Sequence, residues 1–402
     1  MAPPRSAPCS TRPKPLVELR PAIAGLCATL VGIGLARFAY TPLLPALIEG
    51  GWFGPADAAY LGAANLVGYL AGAITARRVI EHVRPTGLVR LMMLVAAATF
   101  FACSLRLGFP WFLFWRFLSG LSGGLLMVAV APTVLAAIRP EMRGRAGGLM
   151  FAGVGLGIVG AGTLLPLLLH GGVVAAWLGL GALALLLTVL VWRLWPQDAP
   201  LPRPTVATRR RIEPAVLATV AVYMLYAVGL VPHMVFFVDF IARGLGWGVA
   251  TGAGFWAVYG VGAILGPFAA GWLGDRIGFF RALSVALVLQ LGGVLIPLLV
   301  PTFLPLALSA LVMGAFTPGM PTLVLGRLTE IASQGDQHGA WGLATTAFAI
   351  AQAACAYGMS WLFAQSHGYG TLFVVGAAAM TTALAVSLLP IGARVPPRRQ
   401  TR

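Results

Sequence analysis

The sequence predicts an all-α polytopic membrane protein, with twelve transmembrane helices in two six-helix bundles. Three observations lead there. Only 9% of the 402 residues are charged and 59% are hydrophobic, with a mean hydropathy of +0.89, whereas soluble domains carry about 25% charge. The apolar runs are long and recur from end to end, which excludes a β-barrel, whose spanning strands alternate apolar and polar residues. The basic residues collect at the ends of those runs. The net charge of +16 therefore reports topology, and nucleic acid is not an expected partner.

Taken in order, the charged and Gly/Pro-rich joints separate spans at 22–48, 57–79, 86–105, 111–138, 146–169 and 173–194, then 214–242, 249–273, 280–300, 303–327, 339–364 and 370–391. One long polar interruption, WPQDAPLPRPTVATRRRIE at 195–213, divides six spans from six. Its prolines and Arg triplet read as a linker. The organisation is thus a disordered tail (1–21), a first bundle (22–194), the linker (195–213), a second bundle (214–391) and a second tail (392–402). With the N-terminus inside, 23 of the 27 Lys and Arg fall in cytoplasmic segments. Arg106 and Arg243 lie outside, and Arg37 and Arg116 lie within spans. That asymmetry places both termini in the cytoplasm of a bacterial inner membrane. The first run is too long for a signal-peptide core and carries Arg37, so it is read as a retained span. No catalytic domain fits in the remaining length.

Cys9, Cys27, Cys103 and Cys355 stand singly, without the spacing of a disulfide, cluster or zinc site. His82, His170, His338 and His367 fall at span ends and have no metal spacing either. No cofactor is expected, and the chain is taken as a monomer in the lipid bilayer.

The halves echo each other. Gly72 and Arg77 slide onto Gly271 and Arg276, Pro132–Leu135 (PTVL) recurs as Pro321–Val324 (PTLV), and Gly120 matches Gly314. Such pairs suggest parallel six-helix repeats. GWLGDRIGFFR (Gly271–Arg281) resembles the loop signature of the major facilitator superfamily, with Ala76 standing at the Asp position of the first-half copy. RGRAGG (Arg143–Gly148) resembles that superfamily's loop between spans four and five, and WRFLSGLSGG (Trp115–Gly124) its Arg-plus-glycine motif in span four. More narrowly, GIGLARFAYTPLLP (Gly32–Pro45) and ANLVGYLAGA (Ala64–Ala73) resemble the YbfB/YjiJ branch. The resemblance implies a secondary transporter working by alternating access. Asp275, Arg276, Arg281, Arg143 and Arg145 would act in conformational gating, and Arg116 in proton coupling. The Gly-rich run of span five lacks the Gly-Pro pair of the superfamily's antiporter motif, with Ala161 and Gly162 in its place. Close packing accounts for it.

Arg37 is the most informative residue. It falls near mid-span, where a charge is costly unless it faces a cavity, and the bland alternative is an Arg bound to broken-helix carbonyls near Pro42. Tyr40 and Thr41 follow at i+3 and i+4, a polar stripe beside it. Asn65 and Tyr69 share a face of span two, and Thr345 and Gln352 a face of span eleven. All of these suit hydrogen bonds to a solute or between helices. Arg116 near the outer end of span four either senses a proton, snorkels outward, or pairs with Glu49 or Asp57. His233, beside Pro232, binds substrate, carries a proton, or is merely hydrogen-bonded. Asp239 and Arg243, four apart, read as an ion pair at the outer surface.

All eleven Asp and Glu fall in tails, loops or span ends, so none neutralises Arg37. The expected partner is therefore a small-molecule solute, an organic anion, moved with a proton. Efflux of neutral or cationic compounds on the same fold is the alternative. A membrane-embedded enzyme would want converging carboxylates or a nucleophile, and HExxH and GxSxG are absent. A channel would want repeated filter loops. A non-transporting receptor stays open.

Overall fold

The computed structural model describes residues 20–139, 142–196, 213–332, 337–366 and 368–389. The two tails, the body of the linker, and His367 lie outside these residues, as do the side chains of Arg77 and His338. Among the described residues, twelve helices are long and apolar enough to cross a membrane. They are α1 (Arg20–Glu49), α2 (Pro55–His82), α3 (Pro85–Cys103), α4 (Phe109–Ala136), α5 (Arg143–Leu169), α6 (Gly172–Val191), α7 (Pro214–Gly244), α8 (Val249–Ile277), α9 (Phe279–Leu299), α10 (Phe303–Ile331), α11 (Gln337–Ser366) and α12 (Tyr369–Leu388). An even number of spans puts Arg20 and Leu388, which begin the first helix and end the last, on one face of the bundle, here called the terminal face.

Pro at the first turn opens α2, α3 and α7, where its missing N–H costs nothing. Gly278, at φ +82°, makes the sharp turn from α8 into α9.

The first helix of each half is not regular. In α1, an α-helical segment gives way to wide π turns at Leu30–Leu35 and then to a turn before helix resumes at Tyr40. In α7, π turns occupy Pro232–Phe236 and Phe240–Gly244. Such insertions shift the phase of every later side chain and often mark functional sites in helices.

Glycines fix the register inside each half. Gly68, Gly72 and Gly120 bring α2 and α4 so close that a Cβ on any of them would meet the backbone at Phe117, Leu121 and Asn65. Gly262, Gly266 and Gly314 do the same for α8 and α10 at Leu311, Ala315 and Tyr259. Every member of these six contacts is displaced by 194 residues from its counterpart (314 − 120). The repeat is therefore physical, and its register corrects one sequence alignment: Gly72 corresponds to Gly266, not Gly271. Backbone contacts set the register here, and similarity between loops does not.

The halves meet along two helix pairs, α5 with α8 and α2 with α11. Gly155 and Gly162 of α5 abut Ile264 and Ala257 of α8, while Gly153 and Gly157 on another face abut Leu26 and Gly34 of α1. The glycine run of span five thus serves two interfaces. Away from the terminal face the halves close tightly. Phe38–Leu47 of α1 and Pro232–Ala242 of α7 are buried without a break. Thr41 Oγ1 donates to Met234 O at 2.7 Å, Trp256 Nε1 donates to Phe38 O at 3.0 Å, and the Tyr60 and Tyr357 rings lie 5.9 Å apart. Side chains left exposed around the bundle, such as Leu186, Leu190, Trp272 and Leu304, are those lipid would cover.

Candidate functional site

The break in α1 brings two arginines into one region and sends them opposite ways. Arg116 of α4 is 2% exposed. Its Nη1 donates to Ala36 O at 3.1 Å, and its guanidinium lies over the Tyr40 ring, 4.2 Å from the centroid. Ser119 Oγ (3.0 Å) and Asn65 Nδ2 (3.4 Å) donate to the same carbonyl, and Asn65 also reaches Arg116 O at 3.2 Å. Neighbouring helices thereby supply polar partners at a broken segment, as irregular backbone at membrane depth requires. Arg116 therefore neither snorkels outward nor pairs with Glu49 or Asp57. It, and not Arg37, is the arginine on the broken-helix carbonyl.

Arg37 stays partly exposed although Phe38–Leu47, which follow it in α1, are buried, which leaves the terminal face as the side from which its guanidinium is reached. One Nη donates to Gln352 Oε1 across the two halves and lies 3.3 Å from Met234 Sδ. The guanidinium also lies 4.8 Å from the Tyr69 ring centroid and 5.2 Å from that of Phe38. Its Nε has no partner, and among the described residues it pairs with no carboxylate. Tyr223, Tyr226 and Tyr259 lie within its electrostatic reach.

Other predicted site residues fall elsewhere. Tyr40 does not share Arg37's face, and the turn at 36–39 interrupts the helix between them: the Tyr40 hydroxyl donates to Ala58 O at 2.8 Å and its ring lies under Arg116. Asn65 is sealed among α1, α2 and α4, while Tyr69, one turn on, reaches Arg37. A small cavity of about 20 Å³ lies among Arg37, Asn65 and Arg116, room for little more than one water. Thr345 Oγ1 donates within its own helix, to Trp341 O at 2.9 Å.

His233 is fully buried in the second half, 2.8 Å from Ser309 Oγ through Nε2 and stacked on Phe237 at 4.7 Å. Ser309 donates to Gly293 O at 2.7 Å, which leaves its oxygen to accept from His233. Asp239 is not at the surface but fully buried. It takes two bonds from Arg243 (2.5 and 2.7 Å) and one from Tyr369 (2.6 Å).

Of the gating candidates, Arg143, Arg145, Asp275, Arg276 and Arg281 are all exposed on the terminal face. Arg143 Nε donates to Ile138 O at 3.3 Å, and Arg276 stacks on Trp272 at 5.2 Å. In the 194-residue register Asp275 answers to Glu81, also exposed, and not to Ala76, which is buried.

The sequence reading overlooked the aromatic wall of the second half. Tyr223 stacks on Phe348 (4.5 Å, 25°) and on Tyr226 (5.9 Å, 3°), and Trp341 continues the set (6.4 Å, 24°). Tyr226 donates to Phe316 O at 2.9 Å, and the Tyr259 hydroxyl bonds Thr317 Oγ1. A signal for this wall exists in the sequence: Trp341, Thr345, Phe348 and Gln352 recur at i, i+4, i+7 and i+11, one stripe of α11. Among the described residues no group of His, Cys, Asp or Glu could hold a metal ion.

Comparisons with known proteins agree with this architecture. A family model described as the uncharacterised MFS-type transporter YbfB matches residues 29–388. No curated protein matches the chain. Among solved structures, a bacterial homologue of the human lysosomal transporter Spinster, inward-facing and unoccupied, superposes with a TM-score of 0.67 at 17% identity, over 95% of this chain and 96% of that one. Its inward-facing, occupied form gives 0.66 at 16% identity, over 96% of each chain. A mutant of the nucleoside transporter NupG gives 0.74 at 11% identity, over 92% of this chain and 98% of that one. At these identities the likeness is one of fold.

Proposed function

The chain belongs to the YbfB-type family of major facilitator transporters, and from that premise we propose that it moves a small organic anion across the bacterial inner membrane by alternating access. The observation that carries the reading is Arg37. A guanidinium near mid-membrane, partly exposed, faces a neutral amide and ring faces where a carboxylate would be expected. A buried charge without a counter-charge is costly. A carboxylate or phosphate on the solute supplies that charge and a planar, two-pronged partner for the fork.

The terminal face is cytoplasmic in this reading, in keeping with the Arg and Lys that cluster there. The closed far side and the approach to Arg37 from the terminal face then correspond to an inward-facing state. Moving an anion inward against a membrane potential that is negative inside needs a co-transported cation, and a proton is the simplest choice. Arg116 and His233 are buried in this state, so the reading gives them the upkeep of the broken helices. Any proton role for them would be played in another state. Asp275 and Arg276, with Glu81, Arg143, Arg145 and Arg281, form the charged rim that switches between states.

Liposome uptake tests the reading. Arg37→Lys keeps the charge and loses the fork, so uptake should weaken; Arg37→Gln should nearly abolish it. Unchanged transport by folded Arg37→Gln, or a cationic substrate, rules the anion reading out.

A further inference from the structure

We propose that the transported anion carries a flat aromatic ring, and that the rings of Tyr223, Phe348 and Trp341 form the surface it stacks on. This rests on the anion reading above, and adds to it the half of the solute that does not touch Arg37.

The two walls around Arg37 differ in kind. On the first half, Tyr69 and Phe38 present single rings to the guanidinium and do not stack on each other. On the second half, Tyr223 lies within 27° of parallel to Tyr226, Phe348 and Trp341, and Tyr226 and Phe348 are within 27° of each other. These rings are stacked, and the outer face of a stack is complementary to another plane. A cluster that only filled a core would be expected to mix edge-to-face contacts with stacked ones, since both are favourable. The tightly packed Phe53, Phe112 and Trp177 cluster of the first half does meet edge to face, at 65° and 69°.

The stack is also placed to receive a ligand. Phe348 and Trp341, its outer members, are only partly buried. Phe348 sits one helical turn from Gln352, the residue that holds Arg37. Tyr69 is partly exposed and Tyr223 buried, and neither hydroxyl is among the buried polar atoms left without a partner. The Tyr226 and Tyr259 hydroxyls, by contrast, are fastened to Phe316 and Thr317 of α10 and hold their rings in place. A solute with an acidic group two or three bonds from a ring can meet the guanidinium and the stack together.

The test varies charge and flatness separately in three size-matched probes: 2-naphthoate, trans-decalin-2-carboxylate and 2-naphthamide. Binding to the purified full-length protein is measured by calorimetry and by thermal shift. Ring stacking predicts that 2-naphthoate binds about fivefold tighter than the saturated acid, and that the neutral amide binds more weakly still. Equal binding of the two acids overturns the ring inference and leaves the anion reading standing. Equal binding of naphthoate and naphthamide overturns the anion reading, and with it the class proposed. Failure of all three to bind also overturns it. Phe348→Leu and Tyr223→Leu should lower naphthoate affinity to that of the decalin acid without changing the latter. The comparison within the wild-type protein decides the matter even if a variant does not fold.

Discussion

Helices α1 and α7 open the two halves of one repeat, and both break near mid-span, yet they manage the break differently. In α1 the carbonyl of Ala36 collects side chains from α2 and α4, including a whole arginine, and the next residue carries its charge across to Gln352 of the other half. In α7 the break buries its polar side chain: His233 turns inward to Ser309, and the rings of Tyr223 and Tyr226, lower in the helix, join the aromatic wall. One half contributes charge to the site and the other contributes surface. Duplication of a fold thus preserves the helix contacts while the groups lining the centre diverge.

That comparison can be broken at its base, in the close contacts that the halves share. Gly120→Leu and Gly314→Leu should each prevent recovery of folded protein, because the partner backbone leaves no room for a side chain. Folding of one but not the other, judged by monodisperse elution in detergent, would show that the repeat is not mechanically equivalent.

The next largest effect separates the two arginines of α1 and α4. Arg116→Met removes a donor from a broken helix and leaves the Ala36 carbonyl less well satisfied, at a cost of about 1–3 kcal/mol, read as a fall in melting temperature. Arg37→Gln should leave that temperature nearly unchanged while uptake collapses. If the two variants lose stability alike, the division of labour is wrong.

A smaller effect is expected on the other side of the comparison. His233→Phe keeps an aromatic ring against Phe237 and Phe373 and leaves Ser309 bonded to Gly293. Transport should persist, with stability within about 1.5 kcal/mol of wild type. Loss of proton-driven uptake with binding intact would return His233 to a coupling role. Asp275→Asn should give the mildest change, a slower turnover with ligand affinity retained, since the carboxylate lies far from Arg37 on the terminal face. A loss of binding would place Asp275 in the structural frame.

Much of the fold is legible in the sequence because lipid imposes simple rules. Every span boundary predicted from apolar length and from the placement of Arg agrees with a helix end to within about four residues. Arg37 stands out for the same reason, as a charge where charge is expensive. What surrounds it is harder to read. A period of 3.6 residues puts Tyr40 and Arg37 on one face, but the helix is interrupted by a turn at 36–39, and no residue type there announces it. Asn65 and Tyr69 share a helix face and still separate, one to the Ala36 carbonyl and one to Arg37. The loop signature draws Gly72 five residues past Gly266, although the pairing of Gly120 with Gly314 already carries the right register. The aromatic wall depends on α7 and α11 being neighbours, which spacing within either helix does not show.

The bond from Arg37 to Gln352 bears on the empty carrier. Under the proposed cycle, a transporter that has released its cargo must return, and its cation must not cross the membrane bare. The amide oxygen of Gln352 is a neutral placeholder for the missing carboxylate: good enough to quiet the guanidinium, and weak enough for an arriving anion to displace. It also joins the two halves, so the moment of displacement is the moment one of their links is cut. Cargo and clasp compete for one hand.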